Sequence, residues 1–355
     1  MSTDCMSAHR SLTDIRFPFR VSPLLPNMMK EPAIGIGLIG VGRHGIRYAR
    51  HIMQDIPSAS LVAVCRQHPE QGLDLPGSES VNIYGNARSL IEDPRVDAVV
   101  VVTPPIYSRD ICLLAIQARK PVLIEKPLST SADDARAMME AATRAAVPLM
   151  TGHTLRFDST IRAMQATRHM IGRSQRLHLT SHIETKERGP AHADGYGKRG
   201  ALLEVGVHML DLVRFLTGEE VREVRCTMDV VPPVAPERAA SVQLITQRGT
   251  ECRVDVRRVA AGRTGSAVWV GSDGQLTADW TQQRLQWAGA GNRTETWTLA
   301  SCPTIVATMS AFLEALRRKQ AMPITGEDGF RAVEIAEACY RSAQAGGATV
   351  RLPLM

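Results

Sequence analysis

The chain has 355 residues, of which 44% are hydrophobic and 22% are charged, so its composition excludes disorder over most of its length and its length predicts two packed domains. The formal net charge of +6 is spread along the chain, and no apolar run is long enough to span a bilayer, which favours a small anionic ligand over nucleic acid or a membrane. The seven cysteines are odd in number and form no C-x-x-C pair, so we expect no disulfide framework, no structural zinc site and a reducing, cytoplasmic location.

Residues 1–32 contain scattered arginines and prolines but no sustained apolar segment, so we interpret them as a flexible extension and not as a secretory signal. Residues 33–152 alternate short apolar runs with helical patterns, which is typical of βαβ units around a parallel sheet. The predicted strands are Ala33–Ile39, Ser60–Cys65, Ala98–Thr103, Pro121–Ile124 and Val147–Met150. The predicted helices are Arg43–Met53, Ser108–Ala118 and a third that follows Ser131 and ends near Ala145. This segment therefore predicts one doubly wound α/β domain.

Residues 153–355 predict a second, α+β domain in which a sheet dominates. Its first elements are a helix at Ser159–His169, an alternating segment at Arg176–Glu184 and an apolar helix at Leu202–Leu216. Strand-like alternation then continues to about Leu299. It contains four tryptophans, which we interpret as packing residues: Trp269, Trp280, Trp287 and Trp297. Helices at Thr304–Lys319 and Gly326–Ala345 end the domain.

A glycine-rich turn follows the first predicted strand. Gly40, Gly42 and Gly45 form a G-x-G-x-x-G sequence that opens a helix, and Arg43 and His44 lie within it. In a βαβ unit the first glycine permits the tight turn, the second lets a pyrophosphate approach the backbone, and the third lets the helix pack on the strand. Free backbone N–H groups at the helix start then bind the anion. The turn predicts a dinucleotide site.

Arg66 ends the second predicted strand, about 20 residues after the turn, where an acidic residue would bind the ribose 2′-hydroxyl of NAD. A guanidinium instead suits a 2′-phosphate, because it is always charged and can bond phosphate at two points. We therefore predict NADP(H) over NAD(H). The alternative is that Arg66 points to solvent and that the 2′-hydroxyl is bound elsewhere.

Two further segments carry candidate catalytic residues. The sequence Glu125-Lys126-Pro127 follows a predicted parallel strand at its carboxyl end, where open α/β sheets bind ligands. On the apolar helix, Glu204, His208 and Asp211 are spaced i, i+4 and i+7, which predicts that they share one helix face.

Taken together and in order, these motifs resemble the Gfo/Idh/MocA family of NAD(P)-dependent sugar and cyclitol dehydrogenases. The resemblance covers about residues 33–355. It also rests on Thr103-Pro104, on the segment Gly152–Phe157 and on Ile324–Gly329 near the end. It implies a Rossmann domain followed by a domain whose open, mainly antiparallel sheet covers the active site and mediates dimer or tetramer formation. It also implies that Thr103, Pro104 and Glu125 line the cofactor site.

The family resemblance implies that Lys126 lies near nicotinamide and substrate and that His208 is the acid or base for the hydroxyl or carbonyl. The chemistry agrees, because alcohol oxidation needs a base for the hydroxyl proton while hydride leaves for nicotinamide. An imidazole titrates near neutrality, and a lysine can polarise the oxygen. Family members commonly have an aspartate four residues before the histidine that matches His208. This chain has Glu204 there, and its longer side chain shifts the carboxylate.

Other residues receive weaker assignments. His153, Arg156 and Asp211 are candidates for holding a polyhydroxylated substrate at the domain junction, with an arginine that braces the two domains as the alternative role for Arg156. We predict no metal site. His178 and His182 on the alternating segment and His192 in the following loop have no carboxylate or cysteine at helical ligand spacing.

Three other functions share these motifs: a reductase of a non-sugar carbonyl or imine, a redox-assisted glycoside hydrolase that keeps its nucleotide bound, and a non-catalytic nucleotide sensor. The function that we predict is an NADP(H)-preferring oxidoreductase of a sugar, cyclitol or related polyol, and it uses every motif named above.

Overall fold

The computed structural model describes residues 32–185 and 190–353, so the predicted extension lies almost entirely outside the described residues. Within these ranges the strands form one six-stranded parallel sheet and one nine-stranded mixed sheet. The predicted fold class, a Rossmann domain joined to a domain with a large and mainly antiparallel sheet, is confirmed. No helix in the described ranges combines the length and the apolar character needed to cross a membrane.

The first sheet is built from residues 34–152. Its strands are β1 Ile34–Ile39, β2 Ala59–Cys65, β3 Asn82–Tyr84, β4 Ala98–Val101, β5 Val122–Glu125 and β6 Leu149–Gly152. Its helices are α1 Gly45–Gln54, α2 Ala87–Glu92, α3 Ser108–Gln117 and α4 Ala132–Ala145. The strands are short continuous apolar runs because helices cover both faces of a parallel sheet. The side chain of Ser131 caps α4, as the sequence predicted.

The strand order is β3-β2-β1-β4-β5-β6, the order of dinucleotide-binding folds. The order reverses between β1 and β4, and ligands of such sheets bind beyond the carboxyl ends of the strands at that point. The glycine turn follows β1, Thr103 follows β4 and Lys126 follows β5. The topology thus brings three predicted site segments to one edge of the sheet.

The second part contains the remaining elements. They are α5 Ser159–Ala166, β7 Ser174–Glu184, α6 Pro190–Gly195, a π-helical turn at Leu202–Gly206, α7 Val207–Thr217, β8 Val221–Met228, β9 Ala239–Thr246, β10 Glu251–Val259, β11 Thr264–Gly271, β12 Gly274–Asp279, β13 Arg284–Gly289, β14 Thr294–Thr298, α8 Thr304–Arg318, α9 Gly326–Gln344 and β15 Val350–Arg351.

Side chains alternate between the two faces of the second sheet. Along β10, Cys252, Val254 and Val256 are buried against the helices, whereas Arg253 and Asp255 lie on the opposite, more exposed face. The buried face packs on α5, α7 and α9. These contacts fix the position of α7 beside the first domain.

The last two helices pack on both sheets. Met309 and Phe312 of α8 share a core with Tyr48 of α1, and Val333 of α9 shares one with Met138 of α4. The segment after residue 300 therefore completes the Rossmann core, although the sequence-based boundary assigned it wholly to the second domain.

Four local features differ from the sequence-based prediction. The short strand β3 and the helix α2 were missed, because three residues and six residues are too few to produce a clear periodic pattern. Trp280 lies in the turn after β12 and not in a strand, since β12 ends at Asp279. A π-helical turn opens the helix that was predicted as one regular segment.

Candidate active site

The three glycines of the turn play three different steric roles. Gly40 has φ = +96°, and a Cβ there would lie 2.6 Å from the carbonyl oxygen of Val102. A Cβ on Gly45 would lie 1.8 Å from the carbonyl oxygen of Gly40, so helix and turn could not approach each other. A Cβ on Gly42 would meet no atom within 4 Å. The backbone at Gly42 therefore faces open space beside the start of α1, which is where a pyrophosphate would bind.

A buried carboxylate supports this turn from below. Glu125 at the end of β5 accepts hydrogen bonds from the Tyr48 hydroxyl (2.6 Å) and from the backbone N–H of Lys126 (3.1 Å), and His44 Nε2 lies 2.9 Å from it. Burial alone would raise the pKa of Glu125, but the contacts with His44 and Tyr48 and the charge of Lys126 outweigh it and lower that pKa. Glu125 is thus an ionised anchor between α1 and β5.

Lys126 points from the Rossmann edge into the second domain. Its Nζ donates to the backbone carbonyl of Glu204 at 2.8 Å. That carbonyl lies in the π-helical turn, where hydrogen bonds run to i+5 rather than to i+4. Such turns recur at functional sites, and here the turn presents a carbonyl to a lysine from the other domain. The two domains therefore meet at the proposed catalytic lysine.

His208 lies just after this turn, in the first turn of α7, and its Nδ1 is buried with no hydrogen-bond partner among the described residues. The ring as a whole keeps some exposed surface. Burial, followed by the charge of Lys126, lowers the pKa of His208 well below its ordinary value. The imidazole is therefore neutral at physiological pH and can accept a proton.

A second imidazole lies beside His208. His153 follows β6 at the same edge of the sheet, its exposed fraction is 1%, and both of its ring nitrogens lack a partner within the described ranges. The two histidine rings meet edge to face, with centroids 5.8 Å apart and an interplanar angle of 76°. Burial lowers the pKa of His153, and the charge of Asp211 opposes that shift.

Arg156 and Asp211 are tied to each other. Arg156 donates to both carboxylate oxygens of Asp211, at 2.8 and 2.6 Å, and to Asp328 Oδ1 at 3.0 Å. Asp328 also forms a capping box with Thr325 at the start of α9. This buried network joins the 3₁₀ turn after β6, α7 and α9, which all lie in residues 153–355, so Arg156 braces elements within the second domain.

Glu204 and Asp211 do not share the single helix face that their spacing predicted. The Glu204 carboxylate is bonded by the Arg258 guanidinium and lies 3.5 Å from His192 Nε2, whereas Asp211 faces Arg156. The π-helical turn explains the difference, because the i, i+4 alignment that holds in an α-helix does not apply within it.

Other predicted cofactor contacts lie along the same edge. Thr103 Oγ1 is buried without a hydrogen-bond partner in the described part of the chain. Pro104 lies beside Gly195, where an added Cβ would approach the Pro104 Cβ to 2.8 Å, so α6 of the second domain packs beside this turn. Arg43 is exposed beside the glycine turn.

Arg66 lies at the end of β2, as predicted. Its guanidinium donates to the Gly72 carbonyl and to the Gln71 side chain, within the loop that follows the strand. These two bonds hold the guanidinium against the loop that follows β2.

Two family models match the chain. One, described as an oxidoreductase family with an NAD-binding Rossmann fold, matches residues 34–153, and the GFO/IDH/MocA C-terminal domain model matches residues 163–277. The chain belongs to the Gfo/Idh/MocA family of oxidoreductases. The resemblance inferred from the motifs is confirmed, and so is the assignment of the chain as an NAD(P)-dependent dehydrogenase of that family.

Members of the Gfo/Idh/MocA family align with most of this chain. A D-apiose dehydrogenase of Rhizobium rhizogenes is 25% identical and covers 92% of this chain and 98% of its own length. A myo-inositol 2-dehydrogenase of Thermotoga maritima is 26% identical and covers 86% of this chain and 95% of its own length. An oxidoreductase from Agrobacterium radiobacter, solved in complex with NAD+, L-tartaric acid and magnesium, has a TM-score of 0.77 at 23% identity and covers 90% of this chain and 98% of its own. At that identity the likeness concerns the fold.

Sequence reasoning missed two polar residues in this Gfo/Idh/MocA enzyme. Arg258 continues the alternation of Val254 and Val256 along β10, and that alternation alone would have placed it on the inner face, toward Glu204. Tyr48 lies on the buried face of α1, where a residue is expected to pack through its apolar part. Its hydrogen bond to Glu125 was therefore not predicted.

A metal site was not predicted for this family member. Within the described residues, no cluster of three or more histidine, cysteine or carboxylate side chains could hold a metal ion. His178 Nε2 lies 2.7 Å from Asp255 Oδ2 on the outer face of the second sheet.

Proposed function

We propose that this protein is an NADP(H)-preferring oxidoreductase that interconverts a secondary alcohol and a ketone on a sugar, cyclitol or related polyol. One observation carries the proposal: a lysine ammonium and a neutral imidazole from different domains converge beside a glycine turn that leaves room for a pyrophosphate. The relatives that act on D-apiose and myo-inositol support the polyol class.

The residues of the edge fit a nicotinamide dinucleotide. The open side of Gly42 and the N-terminus of α1 would bind the pyrophosphate, and the buried hydroxyl of Thr103 would meet the nicotinamide end. When bound, the nucleotide accepts the hydride from the carbinol carbon or returns it to the carbonyl. Glu125 orders Tyr48 and His44 beneath the turn and so fixes the edge on which the dinucleotide lies.

Lys126 and His208 handle the oxygen and its proton. In the direction of oxidation, neutral His208 takes the hydroxyl proton while the C–H electron pair leaves as hydride, and the carbonyl forms. The Lys126 ammonium binds the same oxygen and stabilises the negative charge that develops there. In the direction of reduction, the His208 imidazolium returns the proton.

Glu204 contributes indirectly in this scheme. Its backbone carbonyl holds the Lys126 ammonium, and its carboxylate neutralises Arg258 on the sheet wall of the cleft. The longer glutamate side chain reaches β10, so the acidic residue helps to join α7 to the sheet while its main chain orients the lysine.

Arg66 supports the NADP(H) preference. A guanidinium has five N–H donors, and the loop after β2 uses two donor groups in the bonds to Gln71 and Gly72. The remaining donors can bind a 2′-phosphate, and the loop bonds reduce the side-chain entropy lost on binding it.

The outer face of the second sheet supports a dimer or tetramer. Inward-facing residues of β10 are buried, whereas the alternate residues Arg253 and Arg257 are exposed. We propose that this open face pairs with a second copy of the chain. Analytical ultracentrifugation would test this, and a monomer at micromolar concentration would contradict it.

The proposed activity is tested by following absorbance at 340 nm with NADP+ or NAD+ and a panel that includes myo-inositol, D-apiose and common hexoses. We expect the protein to oxidise at least one polyol, with a higher kcat/KM for NADP+ than for NAD+. A panel that gives no reduction of either nucleotide, in protein that binds both, would contradict the polyol assignment.

A further inference from the structure

Three imidazole nitrogens lie buried in one place without hydrogen-bond partners. They are Nδ1 and Nε2 of His153 and Nδ1 of His208, and no partner for them occurs in the described ranges. An unpaired buried polar atom is destabilising, so three together mark a site where the geometry changes or a function compensates. All three atoms belong to two rings that touch edge to face.

A carboxylate lies at one end of this pair. Asp211 Oδ2 is 3.9 Å from Nδ1 of His153, which is longer than a hydrogen bond but close for a charge buried to 1% exposure. Both carboxylate oxygens are fixed by the bidentate bond from Arg156. The neutral His153 ring therefore favours the tautomer with its hydrogen on Nδ1, because that N–H dipole points at the anion. Nε2 of His153 is then left as an acceptor.

The second histidine completes the sequence of groups. With the ring centroids 5.8 Å apart, a hydrogen bond between His208 Nδ1 and His153 Nε2 requires a rotation of the rings together with a small approach of one ring to the other. A hydrogen bond donated by His208 Nδ1 leaves the lone pair on its Nε2, the atom needed to take a proton from substrate. The carboxylate of Glu204, four residues before His208, is engaged by Arg258.

We propose that Asp211 and His153 form a relay that orients His208, in which His208 Nδ1–H donates to His153 Nε2 and His153 Nδ1–H donates toward Asp211. This inference rests on the proposed function, because it assigns positioning residues to the same proton transfer. The relay fixes the reactive tautomer of His208 and stabilises the imidazolium that forms when Nε2 takes the hydroxyl proton. The logic is that of a base oriented by a third group.

The surroundings of both rings are defined. The charged groups that act most strongly on His153 are Asp211, Arg156, Asp328 and Lys126, and the titratable ring of His208 packs against it. Those that face His208 are Lys126, His153 and His44. The positive charge of Lys126 destabilises the imidazolium of His208. A group that accepts a hydrogen bond from His208 Nδ1 offsets this effect.

His153→Phe tests the relay, because phenylalanine keeps a ring of similar size and removes both nitrogens. We expect kcat for polyol oxidation to fall about 10- to 100-fold, with the KM for polyol and the dissociation constant for nucleotide within about threefold of the wild-type values. The acidic limb of the profile of kcat/KM against pH should move to lower pH, because the imidazolium of His208 loses its stabilising acceptor.

Two further variants make the result specific. His153→Gln, whose amide both donates and accepts, should recover most of the lost kcat. His169→Phe removes an exposed histidine of the 3₁₀ turn after α5 and should leave kcat and the pH profile unchanged. An unchanged kcat and pH profile in His153→Phe would overturn the relay while the proposed function stands.

A readout independent of activity separates the two proposals. In ¹⁵N spectra of histidine-labelled protein, we expect His208 to be in the Nδ1–H tautomer and to lose that preference in His153→Phe and keep it in His153→Gln. If the wild-type protein oxidises no polyol, the proposed function fails, and the tautomer of His208 still decides the relay. An Nε2–H tautomer of His208 in the wild-type protein would overturn it.

Discussion

The two ends of the cleft satisfy their polar groups in different ways. At the nucleotide end, Glu125 is held by Tyr48, His44 and a backbone N–H, and the turn above it is shaped by glycines. At the proton-transfer end, His153 and His208 keep buried nitrogens that have no partner in the described residues. The nucleotide end is preassembled by the fold, whereas the other end holds buried imidazole nitrogens that are unpaired among the described residues.

The largest effect should come from removing the groups that act on the substrate oxygen. We expect Lys126→Met or His208→Ala to lower kcat by roughly 10³-fold or more, because each removes either charge stabilisation or the proton acceptor. The nucleotide dissociation constant should stay within a few-fold, since the nucleotide end is built from other residues. Near-normal kcat in either variant would remove that residue from the mechanism.

The frame of the proton-transfer end is tested by Arg156→Met. This change leaves Asp211 as a buried carboxylate without its bidentate partner, so we expect unfolding in urea to show a loss of about 3–5 kcal/mol. The surface pair of Arg341 with Glu337 offers a matched control, and Arg341→Met should cost less than about 1 kcal/mol. Equal losses in the two variants would mean that the buried network does not brace this end.

The proposed pyrophosphate site at the nucleotide end is tested by comparing substitutions at two glycines of the turn. Gly45→Ala sets a Cβ against the Gly40 carbonyl, so we expect a loss of stability of roughly 1–3 kcal/mol or more, with weaker nucleotide binding. Gly42→Ala meets no protein atom, so its Tm should match that of the wild type while its affinity for NADPH falls about tenfold. If Gly42→Ala binds NADPH normally, the pyrophosphate does not lie where we propose.

The preference between nucleotides should depend on Arg66. Arg66→Asp replaces the cation by an acceptor for a 2′-hydroxyl, so the ratio of the NADH to the NADPH dissociation constant should fall by about 10- to 100-fold. The change is read by fluorescence titration with both nucleotides. A constant ratio would locate the 2′-phosphate contact elsewhere.

The smallest effect concerns the dependence of stability on pH. The folded-state pKa values of His153 and His208 are lowered by burial, so below about pH 6.5 the unfolded chain binds protons that the folded chain does not. Stability therefore falls as pH decreases from about 6.5, by up to about 1.4 kcal/mol per pH unit for each histidine. His153→Phe should reduce that slope in urea unfolding between pH 6.5 and 5. Identical slopes would mean that His153 titrates normally.

The difference between the two ends of the cleft also explains which residues the sequence could predict. The glycine turn at the nucleotide end depends on local signals, since a turn between a strand and a helix fixes its own geometry, and spacing alone predicted it. Glu125 was implied by the family resemblance, and Tyr48 was missed. The short elements β3 and α2 gave no periodic signal, and Trp280 falls one residue beyond its strand.

The proton-transfer end depends on contacts between distant segments. The motifs identified Lys126, His208 and Asp211, but their partners could not be deduced from an assumed α-helical spacing. One π-helical turn redirects Glu204 toward Arg258, 54 residues away, and leaves Asp211 to Arg156 and His153. Such a turn has no reliable sequence pattern, so the pairing emerges only in three dimensions.

The central claim is that this cleft binds a nicotinamide dinucleotide at the glycine turn with its 2′-phosphate at Arg66. The most direct test is a titration of nucleotide-stripped protein with NADPH and with NADH, followed by tryptophan and nicotinamide fluorescence. Our account predicts saturable binding of both, with the smaller dissociation constant for NADPH. Tighter binding of NADH would contradict the role of Arg66, and binding of neither would contradict the account as a whole.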